Sequence, residues 1–222
     1  MRIEVENEQI VARKKQEYED LVNEMEAKGL EARLERISII TANVFGVLVM
    51  IISAAIGYGL FVLVNGKDAF DYSRLFGFDF PWGIMFFMLM YILSIFVHEF
   101  IHGFFWHFAC EKKWGSIDFG FNAKLVTPYC HCREALTVKR YFWGSIAPTL
   151  FLGVLPIVLG IVIPNLFLVT FGVIGVVGGC GDMMVIWTLR KHKDCMLFDH
   201  PHEVGYAYFV EKRASEAQKK EI

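Results

Sequence analysis

Two histidines and a glutamate stand in the order His98-Glu99-Phe100-Ile101-His102, inside an apolar run from Trp82 to Phe108. Side chains four apart lie one above the other on a helix, which turns once in roughly 3.6 residues. His98 and His102 are thereby expected to offer two imidazoles to one ion. Glu99 projects on the neighbouring face, within reach of a water on that ion, which is the arrangement of a zinc-dependent hydrolase. A His-Glu pair in an apolar helix is unfavourable for membrane insertion, at roughly 2.5 to 3.5 kcal/mol for an acidic residue at the centre, so it asks for a functional reason.

A catalytic zinc takes three protein ligands and keeps one position open. Within the apolar spans the only carboxylates are Glu99 and Asp182, the latter after Gly178-Gly179-Cys180-Gly181. His98 and Asp182 each stand 16 residues past the starts of their spans at Trp82 and Leu166. Both then lie roughly 24 Å deep at about 1.5 Å per residue, and Asp182 is the expected third ligand. Gly172, Gly175, Gly178, Gly179 and Gly181 leave faces of that span nearly bare, allowing the close helix approach a short aspartate needs. His107 is turned away from the pair, and Phe105 and Phe108 occupy the positions that the longer HExxHxxGxxH pattern would fill with Gly and His. Glu111, Glu134 and Glu203 lie outside the spans and are weaker candidates. Cys130-His131-Cys132 leaves a second metal open, although alternation along a strand puts the cysteines and the histidine on opposite faces.

The elements that must carry these groups are apolar blocks. The chain has 222 residues, 55% of them hydrophobic, with a mean hydropathy of +0.42, and the hydrophobic residues are gathered in long runs. That pattern predicts an all-α polytopic membrane protein whose core, 37–190, holds four transmembrane helices at about 37–64, 82–108, 141–163 and 166–189. Pro148 and Pro156 are expected to kink the third. Between the second and third, residues 111–140 contain two β-prone runs and read as a small cytoplasmic β-hairpin, with Pro128 marking an edge strand to which an extended peptide could add. Residues 1–36 read as a cytoplasmic amphipathic helical segment broken near Gly29, and 191–222 as a polar, charged cytoplasmic tail.

Lys and Arg number seven in 1–36, two in 65–81, six in 111–140 and seven from 190 onward. By the positive-inside rule the hairpin and both termini are cytoplasmic. A net charge of −2 gives no nucleic-acid signal, five irregularly placed cysteines make no disulfide framework, and no cleavable signal peptide is visible.

The chain resembles intramembrane zinc metalloproteases of the site-2 protease type. It is more similar to the small bacterial membrane proteins grouped as zincin peptidases, formerly a domain of unknown function. The resemblance runs from about Trp82 to Gly205. It rests on His98 to Gly103, Thr127 to Tyr141, Ala147-Pro148 to Pro156, Gly178 to Met183 and Phe198-Asp199-His200-Pro201. Site-2 proteases usually present their aspartate after an Asn-Pro, which is missing before Asp182. The resemblance implies a zinc metalloprotease in a bacterial cell membrane.

The expected function is hydrolysis of a peptide bond in a membrane protein or membrane-associated peptide. His98, His102 and Asp182 would hold Zn2+, and Glu99 would be the general base. Asn43, Asn122, Tyr129 and Arg133 are the polar groups available as oxyanion donors, and Ser94, one turn before His98, as support for the ligands. The expected partners are the substrate and the lipid bilayer, with no nucleic acid and with a homo-oligomer left open. The alternative is a non-catalytic zinc-binding membrane protein, a sensor or carrier, with the same ligands.

Overall fold

Ile39–Asn65 (α2) contains no Asp, Glu, Lys or Arg, and Trp82–Ala109 (α3) contains only Glu99. Each is long enough to cross a bilayer at about 1.5 Å per residue. The structure, a computed structural model, describes residues 2–71, 75, 81–122, 127–192, 194–199 and 205–211. Among these, α2, α3 and the stretch Val138–Val162 are three helices with the length and apolarity to span a membrane. A fourth is formed if Leu166–Gly178 (α6) and Cys180–Leu189 (α7), which meet at 48°, count as one broken span. Large apolar side chains such as Ile40, Ile51, Leu63, Leu89, Phe96 and Val162 face outward, as suits a lipid environment and not water.

The stretch Val138–Val162 is not uniform. It begins as an α-helix (α4, Val138–Pro148), passes through a π-helical segment at Thr149–Val154, and resumes as α5, Leu155–Val162. Proline lacks an N–H and crowds the carbonyl four residues earlier. The winding widens immediately after Pro148, where the sequence predicts an irregularity.

Two antiparallel sheets lie at one end of the helices. Ile117–Asn122 (β2) pairs with Thr127–Cys132 (β3), Asp118 opposite His131 and Phe119 opposite Cys130. This is the hairpin the sequence predicts. The other sheet has the order β1-β6-β5-β4, from Leu30–Arg36 (β1), Leu136–Thr137 (β4), Met196–Asp199 (β5) and Gly205–Glu211 (β6).

This second sheet corrects the all-α expectation and both terminal segments. The helix of the first segment (α1, Arg2–Ala27) stops before Gly29, whose φ of +82° suits glycine. Residues 30–36 of the first segment form β1, and the polar, charged tail supplies β5 and β6. Pairing of β1 with β6 brings the segment before α2 and the segment after α7 to the same end of the helical body.

Three packed clusters hold these parts together. Phe61, Leu166, Val169 and Val173 join α2 to α6. Trp106, Tyr141, Leu189, Leu197 and Tyr206 join the helix ends to the four-stranded sheet. Met25 and Tyr18 of α1 cover Phe198 and Phe209 on that sheet. Helix α1 also reaches the hairpin, since Arg13 Nη2 lies 3.1 Å from Asp118 Oδ2 and Lys14 Nζ sits 3.6 Å above the Tyr129 ring.

Candidate metal centre

His98 and His102 share a face of α3 because four residues make a little more than one turn. Their Nε2 atoms are 3.1 Å apart, with the rings at 77° to one another. Asp182 occupies the first turn of α7, where a helix N-terminus favours negative charge. Its Oδ2 is 3.1 Å from His98 Nε2 and its Oδ1 is 3.4 Å from His102 Nε2. The three residues form a group whose donor atoms all lie within 4.8 Å of one another, the one such group among the described residues.

The spacing suits a particular ion. A tetrahedral zinc with N and O ligands at about 2.0 to 2.2 Å separates neighbouring donor atoms by roughly 3.4 Å. The contacts of His98 Nε2, 3.1 Å to His102 Nε2 and 3.1 Å to Asp182 Oδ2, therefore need little adjustment, and two imidazoles with one carboxylate are a donor set that zinc, a borderline-soft ion, accepts. His102 is buried, while His98 and Asp182 are partly covered, so the group has one accessible side.

Two residues of the site, His102 and Glu99, are held by backbone groups of neighbouring elements. His102 Nδ1 donates to the backbone carbonyl of Gly144 at 2.9 Å, which leaves the Nε2 lone pair for an ion. Its ring stacks on Trp106 at 5.1 Å and 14°. Glu99 is held by the hairpin, because the backbone N–H of Cys130 donates to its Oε2 at 2.7 Å. This contact sets one carboxylate oxygen and leaves Oε1 for other chemistry.

The glycine-rich face has a different partner from the one expected. A Cβ at Gly172 would lie 2.5 Å from Gly153 O, one at Gly175 would overlap Leu152 O, and one at Gly179 would overlap Thr149 Oγ1. The close approach is thus between α6, up to its end at Gly179, and the π-helical segment Thr149–Val154. Nothing lies within 4 Å of a Cβ at Gly178 or Gly181. Asp182 reaches the histidines across the 48° bend between α6 and α7 at Gly179, not through a glycine seam shared by α3 and α6.

Other candidates fall away from the centre. His107 stacks on Trp114 at 4.6 Å, and Ser94 Oγ donates to Tyr91 O at 2.7 Å within its own helix. Glu134 accepts from the amides of Glu111 and Lys112 at 2.7 and 3.0 Å and from the Ser116 hydroxyl. Arg133 pairs with Glu17 and Asp118, Tyr129 lies under Lys14, and Asn43 is exposed on α2. Cys132 Sγ lies 3.2 Å from Cys110 Sγ, while His131 meets Phe198, and Cys130-His131-Cys132 forms no metal group among the described residues. Glu203, His200 and His202 lie outside the described residues, as does the side chain of Asn122.

Sequence reasoning missed the Gly144 carbonyl and the Cys130 amide. A backbone group has no letter of its own; the signal that could have found the first is Pro148, four residues later.

Residues 91–197, a little under half of the chain, match the family described as "Putative zincin peptidase". The match contains both histidines, Glu99, the hairpin and Asp182. No curated protein and no solved structure matches the chain.

Proposed function

From the match of residues 91–197 to the zincin peptidase family, we propose that the protein is a zinc-dependent intramembrane peptide hydrolase. His98, His102 and Asp182 are its metal ligands and Glu99 its general base. The observation that carries this reading is the convergence of His98 Nε2, His102 Nε2 and the Asp182 carboxylate from two separate helices at 3.1 to 3.4 Å.

Zinc bound there would lower the pKa of a water from about 15.7 toward 7 and polarise the scissile carbonyl. Glu99 takes the proton released at that water and delivers it to the departing amine. The hairpin brings the peptide to the carboxylate. A substrate strand laid along β3 offers a carbonyl to the Cys130 amide, which now donates to Glu99, and so releases the base as the substrate is seated. Substrates are segments of membrane proteins or membrane-associated peptides unwound enough to pair with a strand. With four spans, the Lys and Arg distribution supports a cytoplasmic side for the hairpin, the sheet and both termini.

The test is the zinc content of the full chain purified in detergent, beside His98→Ala and Asp182→Ala variants checked for intact folding. One zinc per chain in the wild type, lost or sharply weakened in both variants, is expected. Zinc retained in a folded Asp182→Ala protein would remove the third ligand and with it the site.

A further inference from the structure

Gly144 and Pro148 are four residues apart in α4. In an uninterrupted α-helix the carbonyl of residue 144 accepts the N–H of residue 148. Proline has no N–H to give. The Gly144 carbonyl is left without its intrahelical donor at a buried position, where a polar group needs a partner. Its partner is the Nδ1–H of His102, at 2.9 Å.

The surroundings of this contact favour it further. Gly144 has no side chain, and a Cβ there would overlap the Trp106 indole at Nε1. Trp106 therefore lies close against α4, with Nε1 donating to Tyr141 O at 3.4 Å, and stacks on His102. The imidazole is fixed on three counts: its plane by Trp106, its Nδ1 by Gly144, and its Nε2 by the opening toward His98 and Asp182. A second proline on the same span makes a useful contrast. Pro156 withholds its N–H from Leu152, but what packs against that carbonyl is Gly175 of α6, not a polar donor.

We propose that Pro148 is a positioning residue of the metal centre. By withholding one amide hydrogen it dedicates the Gly144 carbonyl to His102, fixes the Nδ1–H tautomer and turns the Nε2 lone pair toward the ion. The inference rests on the zinc reading above. It adds that the affinity of the site depends on a hydrogen that is absent from a neighbouring helix.

The experiment measures zinc affinity of the detergent-purified full chain by competition with a chelator of known affinity. The proteins compared are wild type, Pro148→Ala, Pro156→Ala and the backbone ester Pro148→lactic acid. Alanine restores the N–H, which competes with His102 for the carbonyl. The ester removes the proline ring as alanine does but still has no N–H. Loss of a hydrogen bond behind a metal-ligating histidine weakens binding about 10- to 100-fold. That loss is expected for Pro148→Ala, with wild-type affinity for Pro156→Ala and for the ester. Wild-type affinity in a folded Pro148→Ala protein would overturn the proposal, and so would an ester as weak as alanine, because the ring would then be the cause. If Pro148→Ala fails to fold, the ester decides by the same criterion. A wild-type chain that binds no zinc overturns the underlying site, whereas zinc bound through His98 and Asp182 but indifferent to the Pro148 N–H overturns this inference alone.

Discussion

The Cys130 amide donates to Glu99 at 2.7 Å, so a strand outside the helical body holds the carboxylate beside the two histidines. The hairpin is thereby tied to the residue whose protonation state governs peptide hydrolysis in the proposed mechanism. Replacing Glu99 by Gln keeps the size of the side chain and an acceptor for Cys130, and removes the base. Zinc content is expected to stay at wild-type level while hydrolysis of a model peptide falls about 100-fold or more. An unchanged cleavage rate would remove Glu99 as the base, whereas a zinc-loaded wild type that cleaves nothing would favour the rival reading, a zinc-binding sensor or carrier.

Gly144→Ala puts a methyl group where the Trp106 indole now sits. Overpacking of this kind costs about 1 to 3 kcal/mol. The variant is expected to unfold at lower temperature or denaturant concentration than wild type, and to bind zinc more weakly because His102 is displaced with Trp106. Denaturation in detergent followed by tryptophan fluorescence would register the first effect, and chelator competition the second.

Glu134 gives a pH dependence whose sign follows from its contacts. Burial opposes its charge, yet hydrogen bonds from Ser116 and the amides of Lys112 and Glu111, with the Lys112 charge nearby, hold its pKa below the ordinary 4.5. A carboxylate lowered on folding adds stability that is complete above the unfolded value and disappears as pH falls through the folded one. Wild type is expected to be more stable than Glu134→Gln at neutral pH. The difference should shrink below about pH 4.5, in thermal melts recorded across that range.

Gly205 opens β6 with φ +149°, and a Cβ there would overlap the carbonyl oxygen of Glu35 on β1. Gly205→Ala is expected to cost about 1 to 3 kcal/mol through backbone strain and the clash with its partner strand. Because none of the three ligands lies on the sheet, zinc stoichiometry should remain at the wild-type value. Thermal stability and metal analysis on one preparation would separate the two effects.

What could be read in the sequence was governed by contrast. His98, Glu99, His102 and Asp182 stand out because charged and metal-binding side chains are expensive in an apolar helix. The hairpin was legible from alternating Ile117, Phe119 and Phe121. Strand β1 was not, since Leu-Glu-Ala-Arg-Leu-Glu-Arg is built from good helix formers, and only pairing with β6 makes it a strand. The tail did carry a signal, Tyr206 to Val210, which its charged flanks concealed. Gly172, Gly175 and Gly179 marked a close helix contact correctly in kind. Their spacing says that a neighbour comes near, not which one, and the neighbour is the π-helical segment Thr149–Val154. Pro148 was visible as an irregularity, but periodicity has no term for the carbonyl it frees.

The pairing of β1 with β6 also has a meaning in time. Chains emerge from the ribosome N-terminus first, at roughly 5 to 20 residues per second, and Leu30–Arg36 is made long before Gly205–Glu211. Asp182 lags His98 by 84 positions, or about 4 to 17 seconds of synthesis at that pace. During the interval the two histidines have no third ligand and β1 has no partner. Translation itself thus acts as a delay on the proposed hydrolase: a stalled or prematurely ended chain can display the helix bearing the histidines, yet it has neither a complete metal centre nor a closed sheet.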